Sequence, residues 1–413
     1  MCIYIFIDIN VKIKIDSLSG VIFKKLEPIE KECTMKKVIS LIFLFIFCSV
    51  IFTGCNFSKK YNTLKSDKTI NIAVLGSEKE DIAGRKDFFA GVKLAIDELK
   101  NSGITVNYTV FNDNGSFDTG VSNAKKVVED DNYMMAFTLQ SFETVDTVAK
   151  IFEDAKKPLI VVDGCYDETM EKDYKYLLNL TLSAEDQGKV LGQYAKSNGS
   201  KYVALVHSNS NYNLDFIEGF NDPFDENNFG KVIDIVGDLT PSTKTVKFDE
   251  IINRWKILEV DTVVLSYEDM GFAVELVKSI RENMPEVKIL TDSYFNNLSY
   301  MDKYSKYLEG IIMPSSYPVD SNDRLQKFYS ENESKVSDVD ITSISAQGYD
   351  VIKMIANKSE NINTSLEFMD AMKAPEGYEG VTGIKFTKNG LLNKDAKYWI
   401  IKDKVVYRME AIS

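Results

Sequence analysis

Histidine is almost absent from this 413-residue sequence, with one copy at His207, and cysteine is sparse, with five copies. A Ser-His-Asp arrangement would have to centre on His207, and nothing near that residue supports one. No CxxC pair is present to hold a metal, and the chain contains none of the motifs GxxxxGK[ST], GxSxG, HExxH and GxGxxG. These absences argue against an enzyme and against a metal or other cofactor.

An excess of basic residues is also missing, because the formal net charge is −13. An acidic surface is a poor match for a phosphate backbone, so nucleic acid is not an expected partner. Apolar residues make up 44% of the sequence and charged residues 27%, a normal globular balance. The length allows two or three domains with a large core.

The front of the chain carries an export signal. Met35–Lys37 contains two positive charges and precedes an apolar run, Val38–Phe52, of about 15 residues. A membrane-spanning helix needs ~20 apolar residues, so the run predicts a signal peptide over residues 35–54. The sequence Thr53-Gly54-Cys55 resembles the lipobox of bacterial lipoproteins. This resemblance implies acylation of Cys55, a tether over residues 55–67 and an extracytoplasmic, lipid-anchored location on the bacterial cell membrane.

Two further expectations concern this region. An uncleaved membrane anchor is the alternative to a signal peptide, and it leaves the bulk of the chain outside the membrane in the same way. Residues 1–34 lie upstream of a complete signal peptide and alternate Ile and Lys without turn signals. We therefore expect Met35 to be the true start and residues 1–34 to be a translation artefact.

From Ile70 onward, short apolar runs alternate with segments of helical periodicity. Such alternation predicts an α/β fold with parallel sheets flanked by helices. The pattern restarts after Asn179, with Ser183 as the N-cap of a helix over Ala184–Lys196, so two Rossmann-like lobes are expected. Ile384–Thr387, Tyr398–Ile401 and Val405–Arg408 are predicted to form an antiparallel finish. The other predicted strands are Ile70–Leu75, Ile104–Phe111, Met134–Phe137, Leu159–Val162, Tyr202–Val206, Val232–Val236, Thr262–Ser266 and Val287–Leu290.

Several motifs occur in order over more than 300 residues: Gly84 to Gly91 with Leu94–Glu98, Asn112–Ser116, His207–Tyr212 with Gly219-Phe220, Gly348–Asp350, and Gly380–Gly390. Together these motifs resemble those of the type I periplasmic binding proteins of the branched-chain amino acid (Leu/Ile/Val) receptor group. The family is one of substrate-binding proteins of ABC transporters, so the resemblance implies two lobes joined by a three-segment hinge. On that template, lobe 1 comprises residues 68–181 and 314–375, and lobe 2 comprises residues 182–313 and 376–413.

A ligand of such a fold lies between the lobes, at the carboxyl ends of the parallel strands. In lobe 1, Ser141 follows the third strand; it is a candidate hydroxyl donor to a carboxylate and equally a helix N-cap. Gly164 and Tyr166 follow the fourth strand, where the family contacts the carboxylate end of its ligand. Asp163 beside them would repel a carboxylate unless it points away.

In lobe 2, Tyr212 occupies the position where the family has an aromatic wall. Tyr267, Glu268 and Asp292 follow two other strands. In amino-acid receptors an acid from this lobe pairs with the ammonium group, and Asp292 is our first choice with Glu268 in reserve. Solvated loop acids are the alternative for both, and packing or capping is the alternative for His207.

Three functions remain open at this point. The resemblance favours a receptor of an ABC importer that closes on a small, amino acid-like ligand and delivers it to a membrane permease. The second function is a ligand-sensing lipoprotein that signals through a membrane kinase or chemoreceptor. The third is a hydrolase on a lipoprotein anchor.

Overall fold

Short, buried and mostly apolar runs form the inner strands of two sheets, because both faces of each sheet are covered by helices. The computed structural model describes residues 69–77, 85–225, 230–237, 248–267, 269–295, 298–315, 323–335, 341–395, 398–402 and 405–408. All of them belong to one compact unit of the chain, Tyr61–Ser413. The predicted signal peptide, Cys55 and the upstream segment lie outside the described residues.

In chain order, the elements are β1 (Thr69–Leu75), α1 (Arg85–Asn101), β2 (Thr105–Phe111), α2 (Phe117–Glu129), β3 (Met135–Thr138), α3 (Phe142–Ala155), β4 (Leu159–Val161), α4 (Asp167–Glu171), β5 (Leu177–Asn179), α5 (Ala184–Ser197), β6 (Tyr202–His207), α6 (Asn211–Asp225), β7 (Lys231–Gly237), α7 (Phe248–Ile257), β8 (Thr262–Ser266), α8 (Met270–Asn283), β9 (Lys288–Thr291), a 3₁₀ turn (Ser293–Phe295), α9 (Leu298–Leu308), β10 (Ile312–Pro314), α10 (Asp323–Asn332), a second 3₁₀ turn (Glu333–Lys335), α11 (Ser343–Lys358), α12 (Ser365–Met372), β11 (Tyr398–Lys402) and β12 (Val405–Arg408).

Two sheets organise these elements and define the two lobes. The sheet of lobe 1 has the order β2-β1-β3-β4-β5, and all its strands are parallel. The sheet of lobe 2 has the order β12-β11-β10-β9-β8-β6-β7; β6 to β10 are parallel, and β11 and β12 are antiparallel. The predicted α/β fold with two parallel sheets is therefore confirmed.

The tail of the chain differs in part from the prediction. The hairpin of β11 and β12 forms the expected antiparallel finish. The strand predicted over Ile384–Thr387 is wrong, because only isolated bridges occur there, Tyr378 with Ile384 and Phe386 with Leu392. The apolar side chains of Ile384 and Phe386 instead pack into the core of lobe 1. Burial of alternate residues in a looped segment produces the same sequence pattern as a strand.

The chain passes between the sheets at three places. It leaves lobe 1 after β5, returns after β10, and enters lobe 2 again before β11, since α11 and α12 pack in the core of lobe 1. The exact division of residues between the lobes stays a prediction. Packing of Ile384, Phe386 and Leu392 in the lobe 1 core favours a later final boundary than residue 376.

Two pairs of helices approach closely through glycine. A Cβ at Gly91 in α1 would lie 1.7 Å from the carbonyl oxygen of Ser345 in α11. A Cβ at Gly188 in α5 would lie 2.0 Å from the carbonyl oxygen of Phe216 in α6. In each lobe, a position without a side chain thus lets one helix rest on the backbone of another.

Among the described residues, no helix has the length and apolar character needed to cross a membrane.

Candidate ligand-binding site

Each sheet contains a point where successive connections run in opposite directions. In lobe 1, β1 lies between β2 and β3, and in lobe 2, β6 lies between β7 and β8. Helices that follow neighbouring strands diverge at such a point and leave a crevice at the carboxyl ends, where ligands of open α/β sheets bind. The crevices are therefore bordered by Ser77 and Leu139 in lobe 1 and by Ser208 and Ser266 in lobe 2.

Ser141 is exposed three residues after the end of β3 and occupies the N-cap position of α3. Its side chain accepts no backbone hydrogen bond of the helix, and its Oγ lies 2.9 Å from Oγ1 of Thr144. Ser141 therefore occupies the expected N-cap position, but its hydroxyl contacts the hydroxyl of Thr144 and not a backbone N–H group of the helix. Its role as a donor to a carboxylate stays a prediction.

Gly164 follows β4 with φ at 107°, a left-handed conformation that favours glycine. A Cβ there would lie 3.1 Å from Oγ1 of Thr181 and 3.3 Å from the ring of Phe142. The backbone at Gly164 is therefore covered by an aromatic ring from the first residue of α3. Phe142 was not among the residues singled out from the sequence.

Three aromatic rings connect the two lobes beside Gly164. The centroid of Phe142 lies 5.5 Å from that of Tyr166 in an edge-to-face arrangement and 5.3 Å from that of Tyr212. Phe142 and Tyr166 belong to lobe 1, whereas Tyr212 belongs to lobe 2, where its hydroxyl donates to Oε1 of Gln187 at 3.3 Å. Such ring pairs contribute about 0.5–1.5 kcal/mol each beyond their buried area. The structure therefore brings two predicted site residues, Tyr166 and Tyr212, into one cluster.

The acid expected to bind an ammonium group, Asp292, is fully buried after β9. The hydroxyl of Ser266, at the end of β8, donates to its Oδ2 at 2.8 Å. Tyr267 is also buried, and its ring lies 4.5 Å from that of Phe272 within the lobe 2 core. The reserve acid, Glu268, lies outside the described residues. The roles of these residues in binding stay predictions.

Asn213 bridges the crevice of lobe 2 and was not among the candidate residues of the sequence analysis. Its Nδ2 donates to Oγ of Ser208 at 2.6 Å and to the carbonyl oxygen of Ser266 at 3.0 Å. The carbonyl cannot donate, so this contact fixes the orientation of the amide. Oδ1 is buried with no hydrogen-bond partner in the described part of the chain. His207, at the end of β6, has Nδ1 3.1 Å from the carbonyl oxygen of Ser208.

Arg85 occupies the corresponding place in lobe 1 and was also missed. It is the first residue of α1 and is 4% exposed. Its Nε contacts the carboxylate of Asp163, its Nη2 donates to the carbonyl oxygen of Leu139, and its Nη1 donates to that of Ser77 at 3.4 Å. Asp163 is therefore paired with a cation at the edge of the sheet. A basic residue at the start of the first helix and an acid after β4 were the only sequence signals for this pair.

No group of three or more His, Cys, Asp or Glu side chains in the described ranges is placed to hold a metal ion.

Near the lobe boundary, the titratable group with a marked pKa shift is Asp167, the first residue of α4. Its Oδ2 accepts the backbone N–H of Glu185 in α5 at 3.0 Å. Burial raises the pKa of Asp167 to about 6, although hydrogen bonds from Glu185 and Ala184 oppose the increase.

We expect Asp167→Asn to stabilise the protein at pH 7.5 and to have a smaller effect at pH 4.5. An acid whose pKa is higher in the folded state than in the unfolded state contributes stability when protonated, and this contribution is lost as the pH rises towards about 6. The gain at pH 7.5 should be roughly 1–3 kcal/mol, since a shift of one pKa unit corresponds to about 1.4 kcal/mol. Urea unfolding at the two pH values measures it. The exposed neighbour Glu168 provides the control Glu168→Gln, and an equal gain at both pH values would contradict the assignment.

The sequence profile of the family described as periplasmic binding protein matches residues 69–401. The chain therefore belongs to the periplasmic binding protein family, and its two parallel-sheet lobes have the type I fold of that family. The resemblance to the type I periplasmic binding proteins is thereby confirmed, and several structural neighbours are substrate-binding proteins of branched-chain amino acid transporters. No curated protein sequence matches the chain.

Solved structures share this fold at low sequence identity. An ABC transporter substrate-binding protein from Desulfitobacterium hafniense in complex with leucine has a TM-score of 0.70 and 14% identity, over 83% of this chain and 99% of its own. The branched-chain amino acid transporter substrate-binding protein LivJ from Streptococcus pneumoniae, in complex with isoleucine, has a TM-score of 0.68 and 18% identity over 83% and 99%. A solute-binding protein from Rhodopseudomonas palustris in complex with benzoate has a TM-score of 0.67 and 14% identity over 83% and 95%.

Proposed function

We propose that this chain is an extracytoplasmic solute-binding lipoprotein of an ABC importer. It binds a small polar ligand, an amino acid or a similar molecule, in the cleft between the lobes and delivers it to a membrane permease. The observation that carries the proposal is the placement of polar groups at both switch-point crevices, with aromatic rings from the two lobes in contact between them. Cys55 carries the lipid that anchors the protein to the cell membrane.

The two lobes offer opposite charges to a zwitterion. In lobe 1, Ser141 occupies the N-cap position of α3, and the N-terminal N–H groups of that helix favour an anion. Gly164 adds backbone atoms beside it. In lobe 2, the buried carboxylate of Asp292 is held by Ser266 and is suited to an ammonium group. The aromatic rings of Tyr166 and Tyr212 supply an apolar surface for the rest of the ligand. The complexes of structural neighbours with leucine and isoleucine support this class of ligand.

A catalytic role has little support at this site. His207 directs Nδ1 towards a backbone carbonyl, and Asp292 accepts a hydrogen bond from Ser266. A hydrolase would need a nucleophile, a base and an orienting group within hydrogen-bond reach of one another. Since His207 and Asp292 are engaged in these contacts, we infer that the protein binds its ligand without changing it.

Binding works through closure of the lobes. A ligand that contacts one lobe first and then bridges to the other selects the closed arrangement, because it gains the second set of contacts only there. The contact of Phe142 with Tyr212 is then part of the closed state. Hinge motion of this kind requires that few contacts cross between the lobes except at the connecting segments.

A thermal-shift screen tests the proposal. We expect leucine, isoleucine or a related amino acid to raise the melting temperature of the chain from Lys59 onward, because a ligand at a hundredfold excess over Kd stabilises by about 2.7 kcal/mol. Short peptides, purines and sugars form the comparison set. Absence of any shift with amino acids and with benzoate would refute the proposed ligand class. Loss of uptake of the active ligand in cells that lack the protein would identify an importer, whereas unchanged uptake would favour a sensor.

A further inference from the structure

The pair formed by Arg85 and Asp163 lies where the anionic end of a ligand is expected. Asp163 directly precedes Gly164, and its side chain is 15% exposed, whereas that of Arg85 is 4% exposed. The guanidinium is held by groups from the ends of three neighbouring strands, Ser77 after β1, Leu139 after β3 and Asp163 after β4. The cation therefore lies across the crevice of lobe 1.

An acid at this position has a clear electrostatic consequence. A carboxylate within a few ångströms of the backbone of Gly164 would repel a ligand carboxylate, and the repulsion is strong at a site with little water. A guanidinium in contact with the acid cancels most of this field at the distance of a ligand. Removal of the guanidinium alone should therefore weaken binding of a carboxylate on the order of tenfold to a hundredfold.

A second observation favours neutralisation of Asp163 by Arg85 over direct binding of the ligand by Arg85. The carbonyl oxygens of Leu139 and Ser77 fix the orientation of the guanidinium, and almost none of the side chain reaches solvent. A group that gripped the ligand would need free donors directed into the cleft. Of the five N–H donors of Arg85, Nε is directed at Asp163 and two others at the carbonyl oxygens of Leu139 and Ser77, which favours an indirect role.

We propose that Arg85 is a specificity-determining residue that neutralises Asp163 and so allows lobe 1 to accept the carboxylate end of the ligand. The proposal rests on the proposed function, because it assigns a determinant of ligand charge within the same cleft. Arg85 acts through Asp163 and is a positioning residue in this respect. Without its charge, the same cleft would discriminate against acids.

The test is a set of four variants of the mature lipoprotein in a mild detergent, titrated with leucine by calorimetry. Arg85→Gln should weaken binding at least tenfold, since it exposes the ligand to the uncompensated acid. Arg85→Lys, which keeps the charge, should stay within about threefold of the wild type. Asp163→Asn should bind leucine as tightly as the wild type or more tightly. The double variant Arg85→Gln/Asp163→Asn should return to within about threefold of the wild type.

Other outcomes overturn the proposal in distinguishable ways. If Asp163→Asn weakens binding as much as Arg85→Gln does, the pair has only a structural role. If the double variant stays as weak as Arg85→Gln, the guanidinium itself binds the ligand. Should Arg85→Gln fail to fold, Asp163→Asn and Arg85→Lys still decide, because a structural role predicts weaker binding in both. If the wild type binds no amino acid, the proposed function fails, and the proposal for Arg85 fails with it.

Discussion

Asp292→Asn should reduce the affinity for leucine or isoleucine by about tenfold to a hundredfold. The substitution keeps the shape of the side chain and an oxygen that accepts from Ser266, but it removes the charge that pairs with the ammonium group. Hydrogen bonds to charged groups contribute about 1.5–3 kcal/mol, and each 1.4 kcal/mol corresponds to tenfold in Kd. Calorimetric titration of the purified variant measures the change.

A matched control exists in the same lobe. The side chain of Asp269 caps α8 by accepting the N–H of Phe272, and asparagine caps a helix equally well. Asp269→Asn therefore removes one negative charge from lobe 2 without affecting the proposed anchor, and it should bind ligand like the wild type. Wild-type affinity in Asp292→Asn would show that the ammonium group has another partner, with Glu268 as the next candidate.

Gly91→Ala should destabilise the folded state by about 3 kcal/mol or more. The new Cβ would lie 1.7 Å from the carbonyl oxygen of Ser345 and 2.8 Å from the backbone nitrogen of Tyr349. Both contacts are with the backbone of α11, so relief requires α1 and α11 to move apart and to lose packing across their whole interface. Overpacking of this kind typically costs ~1–3 kcal/mol, and the separation of two buried helices places this case at the upper end or above.

Helix propensity acts in the opposite direction at this position. Alanine is favoured over glycine in a helix by about 1 kcal/mol, which is less than the steric cost. Gly271→Ala, in the exposed first turn of α8, isolates the propensity effect, since a Cβ there meets only the flexible side chain of Asp269 at 3.2 Å. We expect it to be neutral or slightly stabilising in urea unfolding. Equal stability of the two variants would contradict the close approach of the helices.

Local patterns predicted most strands and the caps correctly. The strand Thr262–Ser266 was predicted with the observed bounds. The bounds of β1, β2, β4 and β6 differ from the prediction by one residue at one end, and those of β3, β7 and β9 differ by one residue at each end. Ser183 caps α5 by accepting the N–H of Asp186, as expected. These features depend on burial and hydrogen bonds within a few residues, so they are visible in the sequence. β5 and β10 were missed, because Asn179 and Pro314 interrupt their apolar runs, whereas the equally short β4 lies in an unbroken run of four apolar residues, Leu159–Val162.

The crevices were harder to predict, because their contacts join residues far apart in the chain. Arg85 and Asp163 are 78 residues apart, and Asn213 and Ser266 are 53 residues apart. Strand order and side-chain reach decide such contacts, and neither can be read from local composition. Asp163 illustrates the difference, since the sequence indicated a repulsive acid whereas the fold places a cation beside it. Phe142 was missed for the same reason.

The buried thiol of Cys165 simplifies the observation of lobe motion in solution. It is the only cysteine from Lys59 onward, and it is 3% exposed. Burial raises the pKa of this thiol, which keeps it in the unreactive protonated form. A maleimide fluorophore added to a Leu214→Cys variant would therefore label only position 214. Leu214 lies in α6, two residues after Tyr212, and is 44% exposed. Such a conjugate turns the protein into an optical sensor of its own ligand, without removal of the native cysteine.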